Sequence, residues 1–169
     1  MKNIALVGFM GTGKTAVGKV LAGKLGRPFV DLDALIIQRE KRPIAEIFAK
    51  EGEPYFRKVE SEILAGVAGK DAQVIACGGG VVLAKENWKH LRKNSIIVCL
   101  TATPNIILKR VQNETHRPLM NVTDPRTRIE ELLLKRAPLY AKADHTIDTS
   151  DLSVPQVVET ILDALDIPS

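Results

Sequence analysis

The chain is poor in the residues that mark several protein classes. Aromatic side chains make up only 4% of its 169 residues, and no dense basic stripe with interleaved aromatics occurs. Binders of single-stranded nucleic acid depend on such stacking platforms, so nucleic acid is not an expected partner. Charge of one sign is in small excess. Against 20 Asp and Glu stand 24 Lys and Arg, and the resulting +4 favours anionic ligands without naming one. There are two cysteines, Cys77 and Cys99, both in apolar runs. They read as buried free thiols in a reducing, cytoplasmic setting, which excludes a disulfide framework and a zinc site. No apolar run approaches the length of a membrane span, and the stretch at 3–8 is too short for a signal sequence before it meets a glycine-rich motif.

What remains is ordinary globular composition, with 45% hydrophobic and 26% charged residues in a length that suits one domain with a sizeable core. Short apolar runs alternate with helical patterns. Strands are expected at 3–8, 29–32, 73–77, 95–100 and 145–148, the last a weaker, edge-like candidate. Helices are expected at about 14–25, 44–50, 53–68, 85–93, 104–111, 125–142 and 154–165. Asp124 before Pro125 suits an N-cap and first turn, and residues 150–155 suit a cap for the last helix. Residues 34–43 carry mixed signals. Residues 112–123 are polar and aperiodic, as lids and binding loops often are. This alternation predicts an α/β fold, a parallel sheet with helices on both faces.

The segment Gly8 to Thr15, GFMGTGKT, follows a strand and opens a helix, the setting in which G-x4-G-K-[ST] binds phosphate. Its glycines let several N–H groups face one anion, and the helix N-terminus adds partial positive charge. Lys14 suits the β- and γ-phosphates, and the Thr15 hydroxyl suits Mg²⁺. The guanine-reading Asn-Lys-x-Asp segment of switch GTPases is absent, and small kinases become the leading class.

Asp31 and Asp33 close the second strand two residues apart, so a continuing strand would point both carboxylates one way, at the end where open α/β sheets bind ligands. One suits Mg²⁺ through water and the other an acceptor hydroxyl, or else Asp33 caps a helix. Arg57, with Glu60 three residues on, is either a braced carboxylate clamp or a surface ion pair. Gly78, Gly79 and Gly80 after the third strand allow close approach of a ligand. Arg110, Arg117 and Arg136 each suit a solvated surface when taken singly.

Taken together, GFMGTGKT at 8–15, DLD at 31–33, FR at 56–57, GGG at 78–80, RPL at 117–119 and R-x-PLY at 136–140 resemble the shikimate kinase family over nearly the whole chain. The resemblance implies a five-stranded parallel sheet of order 2-3-1-4-5 in a single P-loop kinase domain over 1–169, with a substrate-binding region at about 33–61 and a mobile lid at about 112–123. It implies transfer of the γ-phosphoryl of ATP to the 3-hydroxyl of shikimate, in aromatic amino-acid biosynthesis. Lys14, Asp33 and Arg117 would be the catalytic residues. Gly11, Thr12, Gly13, Lys14, Thr15 and Ala16 would wrap the ATP phosphates; Arg110 and Ser153 would lie near the adenine, and Arg117 would come over the phosphates with the lid. Thr15 and Asp31 would hold Mg²⁺, and Asp33, Arg57, Gly79, Gly80 and Arg136 would bind shikimate. Asp33 would serve as base or orienter. Phe48 and Phe56 would either wall the pocket or pack in the core. A monomer is expected. Cys77 before GGG, where Thr is frequent, and Met120 after RPL, where Leu is usual, are small departures. Other readings are a gluconate or nucleotide kinase, which would lack the joint DLD, FR and GGG set, and a non-catalytic nucleotide-binding module.

Overall fold

A computed structural model describes residues 1–112 and 122–169. Five parallel strands form one sheet in the order β2-β3-β1-β4-β5: β1 Asn3–Val7, β2 Phe29–Asp31, β3 Val74–Ala76, β4 Ser95–Thr101 and β5 His145–Asp148. The apolar run of β1 is buried at every residue because it lies mid-sheet with helices over both faces.

Alternation along the strands sorts the core into two layers. Ile4, Leu6, Val98 and Leu100 face α1 (Lys14–Leu25) and α8 (Val154–Ala164), packing on Val17, Leu21, Val158 and Ile161. Ala5, Val7, Ile97 and Cys99 face the other way, toward Leu64 of α4 (Glu53–Ala68), Leu91 of α5 (Lys85–Asn94), Ile107 of α6 (Pro104–Val111) and Leu132 of α7 (Pro125–Tyr140). A satellite cluster of Ile36, Ile47, Phe56 and Val59 ties α2 (Leu32–Glu40) and α3 (Ile44–Glu51) to α4. Among the described residues no helix is long and apolar enough to cross a membrane. Both cysteines are free and buried.

The expected caps form. Asp124 accepts from Thr127 N at 3.2 Å, and Ser153 and Gln156 complete a reciprocal capping box on α8. The mixed stretch after β2 turns out to be α2. Only Leu32 and Ile36 of this helix are buried, while Ile37 is exposed, so its apolar residues show no clean helical period. The strand reading of 31–33 is also corrected. Pairing ends at Asp31, which caps α2 by accepting from Ala34 N at 3.2 Å, and Asp33 sits in the first helical turn. The lid expected at 112–123 falls almost wholly on residues 113–121, outside the described residues.

Candidate active site

The chain leaves β1 through Gly8, at φ 143, where a Cβ would collide with the Leu100 carbonyl. Only glycine permits both that angle and that approach. Beyond it the loop is held by its own side chains. Lys14 Nζ donates to the carbonyls of Gly8 at 2.7 Å and Phe9 at 2.9 Å, and the buried Thr12 hydroxyl donates to Phe9 O at 2.8 Å. The loop borders a cavity of about 230 Å³ whose wall includes Gly11, Gly13, Lys14, Thr15, Ala16 and Arg110.

Arg110 is bound to the protein itself. Its guanidinium donates to Gly11 O at 3.1 Å, Thr149 Oγ1 at 3.0 Å and Thr149 O at 2.9 Å. The Thr149 hydroxyl lies 3.0 Å from Thr12 O, so the end of β5 braces the loop. Thr149 belongs to no motif and carried no sequence signal. Ser153 is committed to the α8 cap and lines neither this cavity nor the next. Arg117 lies outside the described residues.

Thr15 Oγ1 donates to Asp31 Oδ2 at 2.9 Å. A hydroxyl and a carboxylate oxygen side by side at a phosphate loop suit Mg²⁺, which keeps several waters and takes few protein ligands. Among the described residues no group of three or more His, Cys, Asp or Glu is placed to hold a metal. A site completed by phosphate and water does not require one.

A second cavity, of about 340 Å³, shares Met10, Thr15, Asp31, Asp33 and Gly79 with the first. Both expected carboxylates therefore reach the boundary between the cavities, through a cap and a helix turn in place of strand alternation. Arg57 and Arg136 also line this cavity, brought from α4 and α7. Arg57 donates through Nη1 to Glu60 at 3.0 Å and through Nε to Glu53 at 3.3 Å. Glu60 is 1% exposed, so its link to Arg57 is a brace inside the cavity wall and not a surface pair. Burial raises the Glu60 pKa, the Arg57 charge opposes that rise, and Glu60 Oε2 has no hydrogen-bond partner among the described residues.

Arg136 is 5% exposed, and its guanidinium lies over the Phe9 ring, 5.6 Å from the centroid. It donates to Gly79 O at 3.2 Å and makes no ion pair among the described residues. Tyr140, one turn on, donates to the same carbonyl at 3.2 Å. Within GGG, a Cβ on Gly80 would overlap the Arg57 guanidinium, and one on Gly78 would come within 2.6 Å of Glu60 Oε2. Two of the three glycines thus make room for the charged side chains as well as for any ligand. Phe48 and Phe56 line the cavity with ring centroids 4.7 Å apart, and Phe56 is also core, so both readings of that pair hold.

The cavity beside the phosphate loop therefore presents two guanidinium groups, two carboxylates at the shared boundary, the buried Glu60 behind Arg57 and an apolar wall, a set suited to a small carboxylated alcohol. Comparison with known proteins agrees. The family model described as shikimate kinase matches residues 10–166. A shikimate kinase from Thermodesulfovibrio yellowstonii is 52% identical over 162 residues, covering 96% of this chain and 94% of that protein. The structure of shikimate kinase from Acinetobacter baumannii in complex with shikimate superposes with a TM-score of 0.95 at 37% identity, covering 98% of this chain and 93% of that one. A gluconokinase from Sinorhizobium meliloti, at 18% identity and a TM-score of 0.67, shares the fold alone. By its motifs, its cavity and its near full-length matches, the chain belongs to the shikimate kinase family.

Proposed function

We propose that the protein transfers the γ-phosphoryl group of ATP to the 3-hydroxyl of shikimate, giving shikimate 3-phosphate and ADP. The observation that carries this reading is one cavity with Arg57 and Arg136 in its wall and Asp33 on the boundary with the phosphate-loop cavity. A carboxylate anchored on two guanidinium groups would hold the sugar-like ring with a hydroxyl near Asp33. In-line transfer depends on such positioning and on neutralising charge, more than on covalent chemistry by the protein.

In this reading the backbone of residues 11–16 wraps the phosphates, and Lys14 exchanges its loop carbonyls for phosphate oxygens. Thr15 and Asp31 would hold Mg²⁺, which supplies charge neutralisation at the phosphates when bound. Asp33 orients the acceptor hydroxyl and accepts its proton as the bond to phosphorus forms. Arg110, in the wall of the phosphate cavity, would lie near the adenine, and Arg117, carried by the RPL motif, would add a further cation. Ile37, Ile44, Phe48 and Phe56 give the acceptor cavity an apolar wall that limits water as a competing acceptor.

A coupled ADP-release assay with ATP, Mg²⁺ and shikimate tests the reading, with gluconate and nucleoside monophosphates as controls. Turnover that requires shikimate is expected. Faster turnover on either control would overturn it.

A further inference from the structure

Tyr140 has no role in the reading above, yet it meets the acceptor cavity through two of its members. Positions 136 and 140 are one turn apart on α7 and share a face. Both side chains are buried, 5% and 7% exposed, and both donate to Gly79 O at 3.2 Å. The carbonyl has two lone pairs, and each takes one donor. A trans peptide points its N–H opposite its C=O. Holding the Gly79 carbonyl toward α7 therefore sets the direction of the Gly80 amide as well.

We propose that Tyr140 is a positioning residue for the acceptor substrate, its hydroxyl fixing the Gly79–Gly80 peptide and, through their shared carbonyl, the Arg136 guanidinium. The phenol ring also packs in the main core, among Val81, Trp88 and Leu132. Phenylalanine would serve that packing equally well. The hydroxyl is the part that packing leaves unexplained, because a buried O–H costs stability unless it has a partner. Burial pushes the phenol up to about 12, so it remains a donor through the neutral range. Without it the Gly79 carbonyl keeps only Arg136, and the guanidinium also loses the Tyr140 oxygen that lies beside it.

The inference rests on the kinase reading and is tested beside it with Tyr140→Phe, which keeps the ring. Shikimate KM is expected to rise roughly five- to tenfold, the equivalent of one buried hydrogen bond. The ATP KM and kcat should stay within about twofold, and Tm within about 3 °C. In an Arg136→Met background the same change should add less than about twofold to shikimate KM, since coupled residues are not additive. An unchanged shikimate KM in Y140F, or full additivity with R136M, would overturn the proposal. So would kcat, both KM values and Tm worsening together, which is the mark of a packing role. Wild-type protein inert toward shikimate would instead sink the kinase reading.

Discussion

Replacing Arg136 with methionine should weaken substrate binding sharply while costing the free protein little or no stability. The guanidinium is 5% exposed, and among the described residues it makes no ion pair. Its compensations are a hydrogen bond to Gly79 O at 3.2 Å, the Tyr140 hydroxyl beside it, the Phe9 ring at 5.6 Å and the field of the buried Glu60 carboxylate. A buried cation so placed costs stability until an anion arrives. Exchanging buried ionic groups for apolar ones of similar volume is neutral or stabilising by about 1–4 kcal/mol. Losing one carbonyl bond returns about 1 kcal/mol, and the ring contact about as much again. Arg136→Met should therefore shift stability by between about −1 and +2 kcal/mol, a Tm change between roughly 3 °C down and 6 °C up in a domain of this size. The carboxylate clamp moves the other way. A charge-assisted bond in a desolvated site is worth about 1.5–3 kcal/mol, so shikimate KM should rise roughly 10- to 150-fold. Calorimetric melts with and without shikimate, and titration calorimetry with shikimate and with ATP, measure both. Shikimate should raise the Tm of the wild type and leave that of the variant where it was. The reasoning fails if the variant melts more than about 5 °C lower, if shikimate binds as before, or if ATP affinity falls in parallel.

Two further predictions concern Asp33 and Tyr140. Asp33→Asn keeps the shape of the residue and removes its basicity, so turnover should fall by about 10²–10⁴ while ATP binding stays near that of the wild type; steady-state rates at the wild-type level would remove Asp33 from the chemistry. The Tyr140 phenol titrates near 12 when folded, against an ordinary value of 10.0. The unfolded chain therefore loses this proton first, and stability should fall as pH rises from about 10 to about 12, by roughly 3 kcal/mol in all. Denaturant melts of Tyr140→Phe should lack this part of the alkaline loss, and superimposable pH profiles for variant and wild type would refute it.

The phosphate loop was legible because its chemistry is local. Glycines, lysine and threonine act within eight consecutive residues, 8–15, and the strand before and helix after show in the hydrophobic pattern. The strands were legible for a similar reason, since burial on both faces leaves unbroken apolar runs such as NIALV. The helix after β2 was not. Its Ile37 stays exposed at the cavity, and that departure from amphipathic spacing hid the period. The pairing of Asp31 and Asp33 came out with the right neighbours by a different geometry, because a cap ended the strand one residue early.

Residue types and order alone determined the class of fold and pointed to the phosphate loop, because those rest on a short motif and on periodicity, while the candidate ligands of a carboxylated acceptor came from the family resemblance. Whether the Arg57–Glu60 pair was an internal brace or a surface pair was undecided in the chain, and burial of Glu60 in the cavity wall makes it a brace. The sequence does not say why three glycines follow β3. In three dimensions Gly78 and Gly80 lie against Glu60 and Arg57, side chains from a distant helix. Thr149, and the role of the Tyr140 hydroxyl within R-x-PLY, became visible only once β5 and α7 closed on the loops they brace. Such hydrogen bonds join residues 39–137 positions apart, and no local pattern encodes a neighbour that only the packing of the sheet brings near.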